Sequence, residues 1–201
     1  MTRSKTLTLL GAAAVAVLAL GAGIALRQVM DARDPGAAVV ATDLGAPFEL
    51  VDQDGDRITE AAFQGRPSLL FFGFTHCPEI CPTTVYDIET WLSEMELGPD
   101  AVGAWFVTVD PERDTPAFLR DYLEPQTDRV RGITGPPEDV WAMARSWRVY
   151  WAKRPLGEGD YTMDHYASVF VLDREGRLVD LIAYGEGPDS AKAKIRAALA
   201  G

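Results

Sequence analysis

The sequence predicts an α/β domain in which a mixed central sheet is flanked by helices. Two continuous apolar runs of strand length, "PSLLFFGF" (67–74) and "VGAWFVTVD" (102–110), have the composition of strands buried on both faces. Segments with apolar residues at helical spacing alternate with these runs. Near the end of the chain, "ASVFVLDREGRLVDLIAYG" (167–185) has the pattern of an antiparallel hairpin about Glu175-Gly176.

The first half of the domain starts with a hairpin and then places a helix directly after a central strand. Residues 47–59, "PFELVDQDGDRIT", predict the hairpin, with Gly55 supplying the positive φ of its turn. The helix is predicted over 81–97, where Pro82 is tolerable only in the first turn. Both cysteines of the chain therefore lie where a central strand leads into a helix.

The second half continues the alternation of strands and helices. Thr115 followed by Pro116 is an N-cap with proline at the first helical position, which predicts a helix over 117–124. The remaining predicted elements are a short strand at 129–135, a helix at 136–151, the hairpin at 167–185 and an amphipathic helix at 188–200. This order, ending in two antiparallel strands, predicts an α/β sandwich of thioredoxin type.

Residues 1–27 predict a membrane anchor. The stretch 6–26 carries no charge and is long enough to cross a hydrocarbon core of about 30 Å. Arg3 and Lys5 precede it, so the basic end is expected to stay in the cytoplasm. The alternative is a cleaved signal peptide, although the stretch exceeds the usual apolar region of about 7 to 15 residues. We expect a single-pass protein of the inner membrane whose domain faces the periplasm or an equivalent exported compartment.

Residues 28–42, which include Pro35-Gly36, predict a linker, and residues 43–201 form the predicted domain.

Composition limits the classes of partner. The net charge is −11 although residues 1–27 hold three bases and no acid, so the domain is strongly acidic. This charge argues against nucleic acid as a partner. Two cysteines cannot build the disulfide framework of a small secreted domain, so any role of the thiols is local.

The cysteine pair in "FGFTHCPEIC" (72–81) is compatible with a disulfide staple, a redox couple or a metal site. If both residues were helical, Cys77 and Cys81 would lie on one face and their sulfurs could share a ligand. A helix N-terminus favours thiolate over thiol, and a disulfide also fits this spacing. An inert buried pair is disfavoured, because cysteines followed by proline at a strand-to-helix junction are poorly placed for a core.

A metal site built on the two cysteines needs a third donor, because the chain has too few thiolates for a four-cysteine zinc site or an iron–sulfur cluster. His76 adjoins Cys77, so its ring is expected to point away from a centre held by both sulfurs. His165 is the better candidate, since it precedes a buried strand expected to neighbour the strand before Cys77. Two thiolates and an imidazole suit Cu(I) and can also hold Cu(II).

Three motifs, "FFGFTHCPEICPTT", "VTVDPERDTP" and "YTMDHYASVFVLD", resemble in this order those of the SCO/SenC proteins, membrane-tethered thioredoxin-fold copper chaperones for cytochrome c oxidase. The likeness covers residues 43–200. It implies copper, as Cu(I) and Cu(II), bound by Cys77, Cys81 and His165 in a copper-binding domain. It also implies delivery of copper to, or reduction of cysteines in, the binuclear copper site of an oxidase subunit. A copper-donor chaperone and a thiol reductant are further expected partners.

The alternative function is a thiol-disulfide oxidoreductase acting on exported proteins, with Cys77 and Cys81 as the redox pair. The C-x3-C spacing differs from the C-x-x-C of thioredoxins, and "DHYASVF" lacks the proline that such reductases place before the corresponding strand. A peroxidase, which needs one low-pKa cysteine that forms sulfenic acid, fits the double-proline motif poorly. Enzymatic activity is left open, and a metallochaperone is the primary expectation.

Four charged residues near these motifs have open roles. Asp110, Arg113 and Asp114 predict a strand-end turn with capping carboxylates before a helix, and partner docking or support of the ligands is the alternative. Asp164 could orient the His165 ring or bond the backbone of its own loop. Tyr166 stands where the family usually has a small residue, which bears on the shape of the pocket mouth.

Overall fold

The computed structural model describes residues 44–201. The predicted membrane anchor (1–27) and linker (28–42) lie outside the described residues. Within 44–201, none of the helices combines the length and the hydropathy that crossing a bilayer requires.

The described part of the chain forms nine strands and four α-helices, with a short 3-10 helix at Glu60–Phe63. The strands are β1 (Glu49–Asp52), β2 (Arg57–Thr59), β3 (Ser68–Gly73), β4 (Gly103–Thr108), β5 (Val130–Thr134), β6 (Trp151–Gly157), β7 (Asp160–His165), β8 (Val169–Leu172) and β9 (Leu178–Ile182). The helices are α1 (Ile80–Glu94), α2 (Pro116–Leu123), α3 (Pro137–Ser146) and α4 (Pro188–Ala200).

Seven of these strands form one mixed sheet in the order β2-β1-β5-β4-β3-β8-β9. The strands β3, β4 and β5 are parallel, and the pairs β1–β2, β1–β5, β3–β8 and β8–β9 are antiparallel. The α-helices pack on this sheet, α2 against β5, α3 against β1 and α4 against β8 and β9. The predicted α/β sandwich of thioredoxin type with a mixed central sheet is confirmed.

The centre of the core lies on β3 and β4, where every residue is buried, as their continuous apolar composition predicts. The rings of Phe71 and Phe106 meet edge to face across the two strands, with centroids 5.8 Å apart. Helix α1 covers the sheet with an apolar stripe that includes Val85, Ile88 and Leu92. This packing holds the end of β3, and therefore the segment that follows it, in a rigid setting.

The local signals at turns and caps also behave as predicted. Gly55 and Gly176 have φ of 85° and 80° in the two hairpin turns, a region that glycine adopts without steric cost. The side chain of Thr115 accepts a hydrogen bond from the Phe118 N–H at 3.3 Å, so it caps α2 in front of Pro116.

One helix is shorter than predicted, and one hairpin is missing from the prediction. Helix α3 ends at Ser146, five residues before the predicted end, because Arg148 adopts a left-handed φ of 56° and Trp151 already belongs to β6. Strands β6 and β7 form a separate two-stranded sheet joined at Gly157–Asp160. The signal for this turn is present in "PLGEGDY" (155–161), since two closely spaced glycines between polar and aromatic residues indicate a hairpin.

Substitution of Phe106 by Ala tests the packing between β3 and β4. The side chain is fully buried, so Phe106→Ala should lower the free energy of unfolding by about 3 to 5 kcal/mol through lost burial and a residual cavity. The same change at Phe118, which is 53% exposed, should cost less than about 1 kcal/mol. Urea unfolding of both variants measures the difference, and equal losses would contradict this description of the core.

Candidate functional site

Cys77 lies in the loop between β3 and α1, and Cys81 is the second residue of α1. The two cysteines do not share one helical face, because the helix begins at Ile80 and leaves Cys77 in the loop. The two residues approach in another way. The Cys77 sulfur accepts a hydrogen bond from the Cys81 backbone N–H at 3.4 Å, and so satisfies one of the free amides at the start of the helix.

His165 is the last residue of β7, and three residues separate it from β8. The strand after His165 was predicted to neighbour the strand before Cys77, and this is confirmed, because β8 pairs with β3. The two strands are antiparallel, with Phe71 opposite Val169, so the loop before β8 lies beside the end of β3. The Nε2 atom of His165 is 3.5 Å from the Sγ atom of Cys81, although 84 positions separate the two residues.

The hydrogen bonds of the His165 ring define its tautomer. Nδ1 is 3.1 Å from the backbone oxygen of Tyr166, and a carbonyl oxygen can only accept, so Nδ1 carries the proton. In the neutral ring, the Nε2 lone pair then faces the Cys81 sulfur. The edges of Phe71 and Phe74 flank the imidazole, with centroid distances of 6.1 and 5.7 Å. This is the orientation that a metal ligand binding through Nε2 requires.

The two thiols have opposite acidities. The pKa of Cys77 is lowered to about 3, chiefly by a hydrogen bond from the Cys81 thiol, with burial acting against that shift. The pKa of Cys81 is raised, because its proton is held in that hydrogen bond and because the side chain is fully buried. At neutral pH the pair therefore consists of an accessible thiolate and a buried thiol. Both are free cysteines.

A cleft of about 360 Å³ opens beside these residues. Cys77 and His165 line it together with apolar groups such as Phe74 and Ile80. Cys81 lies beneath the cleft wall with no exposed surface, whereas Cys77 is half-buried. A ligand or a partner's side chain in the cleft thus reaches Cys77 and His165 before Cys81.

The three predicted donors meet without forming a finished metal site. As the side chains stand, no group of three or more His, Cys, Asp and Glu residues within 44–201 has the arrangement of a metal centre. Cys81 nevertheless contacts both of the other donors, through its N–H to Cys77 and through its sulfur to His165. His76 points elsewhere, since its ring stacks on Phe118.

The charged residues around the site match their predicted roles only in part. Asp164 forms an ion pair with Arg154 at 2.5 Å and bonds neither the His165 ring nor its own loop, because neighbouring residues of a strand point to opposite faces. The turn at Asp110 is confirmed, since its backbone oxygen accepts from the Asp114 N–H at 2.9 Å. Its carboxylate caps no helix and accepts instead from Tyr161 Oη–H at 2.8 Å.

Asp114 is a fully buried carboxylate that the sequence assigned to helix capping. It accepts hydrogen bonds from the N–H and hydroxyl of Thr75, at 3.1 and 2.6 Å, and from the Thr108 hydroxyl at 2.6 Å. Burial raises its pKa, and these hydrogen bonds oppose that shift. Thr75 and Tyr161 were both missed as supporting residues. The signal available for Tyr161 was its place on the same face of β7 as His165.

Comparison with known proteins matches the chain to the family described as SCO1/SenC over residues 37–200. The mitochondrial protein SCO1 homolog 1 of Arabidopsis thaliana is 36% identical over 148 residues, 73% of this chain. ScoI of Bradyrhizobium japonicum, solved with copper bound, is 42% identical with a TM-score of 0.72, covering 77% of this chain and 98% of that chain. Yeast Sco1 with copper bound is 32% identical with a TM-score of 0.71, covering 78% and 88%.

The chain spans about half the length of the curated relatives that it matches. The matched part is 43% of the Arabidopsis thaliana protein and 55% of the mitochondrial protein SCO2 of Saccharomyces cerevisiae.

The unequal exposure and acidity of the thiols predict ordered alkylation. Iodoacetamide should modify Cys77 well before Cys81, because only Cys77 is both accessible and ionised. Its thiolate is fully formed above its pKa of about 3, so the rate should stay level between about pH 6 and pH 9, where an ordinary thiol speeds up. Peptide mass spectrometry after short exposures locates the label. Earlier modification of Cys81 would contradict the assignment.

Proposed function

Because this chain belongs to the SCO1/SenC family, we propose that it binds copper through Cys77, Cys81 and His165 and delivers the ion to the binuclear copper site of cytochrome c oxidase. The observation that carries the proposal is the 3.5 Å approach of His165 Nε2 to Cys81 Sγ. Two soft sulfurs and one imidazole nitrogen are the donor types that copper selects. The copper-bound state of the ScoI and Sco1 structures named above supports the choice of metal.

The arrangement suits an ion that is to be passed on. Copper held by the three donors would lie at the floor of the cleft, with Cys77 and His165 on the open side. An incoming thiolate of the client can bind the metal from this side and displace Cys77 first. Cys81 stays buried and leaves last. Such ligand exchange is redox-neutral, since each displaced thiolate is replaced by another and no electron moves.

The proposal extends to the surroundings of the domain. Residues 1–27 would tether it to the inner membrane, with the domain in the periplasm or an equivalent exported compartment. In that oxidising setting a thiol reductant has to keep the cysteines reduced, and a copper-donor chaperone has to supply the metal. The net charge of −11 argues against nucleic acid as a partner.

A second function, reduction of a client disulfide, is favoured by the unequal thiols. The accessible Cys77 thiolate would attack one sulfur of the client disulfide and release the other as a thiolate. Cys81, after losing its proton, would then attack the mixed disulfide. The products are the client dithiol and a Cys77–Cys81 disulfide, so two electrons pass from this pair to the client.

Copper titration of the reduced full chain tests the ligand set. We expect one copper per chain and, for Cu(II), thiolate-to-copper charge-transfer absorption, because both sulfurs are donors. Replacing both cysteines by Ser should abolish binding while the domain stays folded, since neither cysteine is a disulfide partner. A 1:1 complex without sulfur absorption would refute the proposed ligands, and unfolding of the double variant would favour a structural role for the pair.

Substitution of His165 should separate the two oxidation states. Two thiolates still satisfy a linear Cu(I), so His165→Ala should weaken Cu(II) binding far more than Cu(I) binding. The matched control is His76→Ala, which removes the other histidine one residue from Cys77 and should change neither affinity by more than about threefold, since its ring packs on Phe118. Competition with chelators for each ion provides the measurement. Equal losses of both ions in His165→Ala would place His165 outside the ligand set.

A further inference from the structure

The candidate site joins two parts of the fold that backbone hydrogen bonds leave independent. Cys77 and Cys81 follow β3 of the main sheet, whereas His165 ends β7 of the separate β6–β7 sheet. The position of this hairpin against the cysteines therefore depends on its short covalent link to β8 and on side chains. The turn Asp110–Asp114, between β4 and α2, supplies several of these side chains.

We infer that this turn positions both halves of the donor set: Asp110 and Arg113 hold the hairpin that carries His165, and Asp114 holds the loop that carries Cys77. The inference deepens the proposed copper site and rests on it for its functional meaning. The contacts themselves are independent of that function.

On the hairpin side, the contacts converge on Tyr161. The Arg113 guanidinium lies over the Tyr161 ring at 3.8 Å, and its Nη1 donates to the Tyr161 backbone oxygen at 2.9 Å. The Tyr161 hydroxyl donates to Asp110 Oδ1 at 2.8 Å, and Arg113 Nε donates to Asp110 Oδ2 at 2.5 Å. These bonds form a closed ring of three residues around a buried carboxylate. The adjacent pair of Glu112 and Lys153 adds a second link to the hairpin.

The position of Tyr161 determines where His165 points. Residues 161, 163 and 165 lie on one face of β7, because side chains alternate along a strand. Met163, between the other two, is buried with 5% exposure, so this face is the one turned toward the domain. Fixing Tyr161 against Asp110 and Arg113 therefore limits the rotation of the strand about its axis, and with it the approach of the imidazole to Cys81.

On the cysteine side, Asp114 performs the corresponding task. Its carboxylate accepts both donors of Thr75, two residues before Cys77, and also the Thr108 hydroxyl at the end of β4. The segment from Thr75 to Cys77 is thereby tied to β4. The Asp114 N–H donates to the Asp110 backbone oxygen at 2.9 Å, so the two anchors are joined through one turn of backbone.

The hairpin has another anchor, which sets the size of the expected effect. Trp151, opposite His165 on β6, stacks on Trp141 of α3 with centroids 6.5 Å apart. Loss of the Arg113 contacts should therefore tilt β7 and leave the hairpin attached. Residues that support metal ligands in this way change metal affinity by about 10- to 100-fold when removed.

The test compares Arg113→Ala with Thr75→Val in the full chain. Arg113→Ala should lower Cu(II) affinity by about 10- to 100-fold and weaken nitrogen coupling in the Cu(II) EPR spectrum, with Cu(I) affinity within about threefold. Thr75→Val removes the hydroxyl bond to Asp114, so it should weaken the binding of both Cu(I) and Cu(II) and leave the nitrogen coupling intact. The control is Arg131→Ala, which removes a guanidinium paired with Asp52 at another place in the fold. It should change the affinity for neither Cu(I) nor Cu(II).

Hydrogen exchange without copper separates this inference from the proposed function. Arg113→Ala should speed amide exchange along β7 by about tenfold or more relative to Arg131→Ala, whether or not copper binds. If the wild-type chain bound no copper, the proposed function would fail. The exchange result would still test whether Asp110 and Arg113 hold the hairpin. Unchanged exchange in β7, or a lower melting temperature with an unaltered Cu(II) EPR spectrum, would overturn the positioning role.

Discussion

The antiparallel pairing of β8 with β3 is the constraint on which the rest of the site depends. It places the loop before β8 beside the end of β3, and so brings His165 to Cys81 across 84 positions of the chain. Both strands are buried on both faces, so their register is set by core packing. A slip of one residue would exchange the two faces of β8, so that Phe170 and Leu172 would point to the face that Val169 and Val171 now occupy. The pairing in the core thus brings the segment that carries His165 to the end of β3, and side-chain contacts hold the hairpin itself.

Around this constraint, the site combines rigid and adjustable parts. Cys81 is buried in the first turn of α1. Cys77 lies in the loop before this helix, where its sulfur accepts a hydrogen bond from the Cys81 N–H. His165 belongs to a two-stranded hairpin that side-chain contacts hold in place. For the proposed copper transfer, this division would leave Cys81 in place while Cys77 and His165 exchange with the ligands of the client. The same division suits a redox pair, with one accessible thiolate and one protected thiol.

Much of the fold could be predicted because its signals are local. The strands β3 and β4 follow from apolar runs, the cap of α2 from Thr115-Pro116, and the two turns from Gly55 and Gly176. The predicted end of α3 was wrong, and the β6–β7 hairpin was missing from the prediction. The periodicity of α3 continues past Ser146, and only the left-handed Arg148 and the pairing of Trp151 with His165 end it. Cross-strand pairing of that kind is not encoded in the spacing of apolar residues.

The sequence by itself determined the inventory of the site: a chain with two cysteines and two histidines offers few soft donors, and the strand after His165 indicates which histidine approaches the sulfurs. Only the tertiary structure decided how they meet. It placed Cys77 ahead of the helix, turned Asp164 away from the ring, and joined Arg113 to Tyr161 across 48 positions. The physical reason is the separation along the sequence over which each kind of interaction acts. Propensity, capping and turn chemistry act within a few residues, whereas hydrogen bonds and ring contacts between distant side chains depend on how whole elements pack.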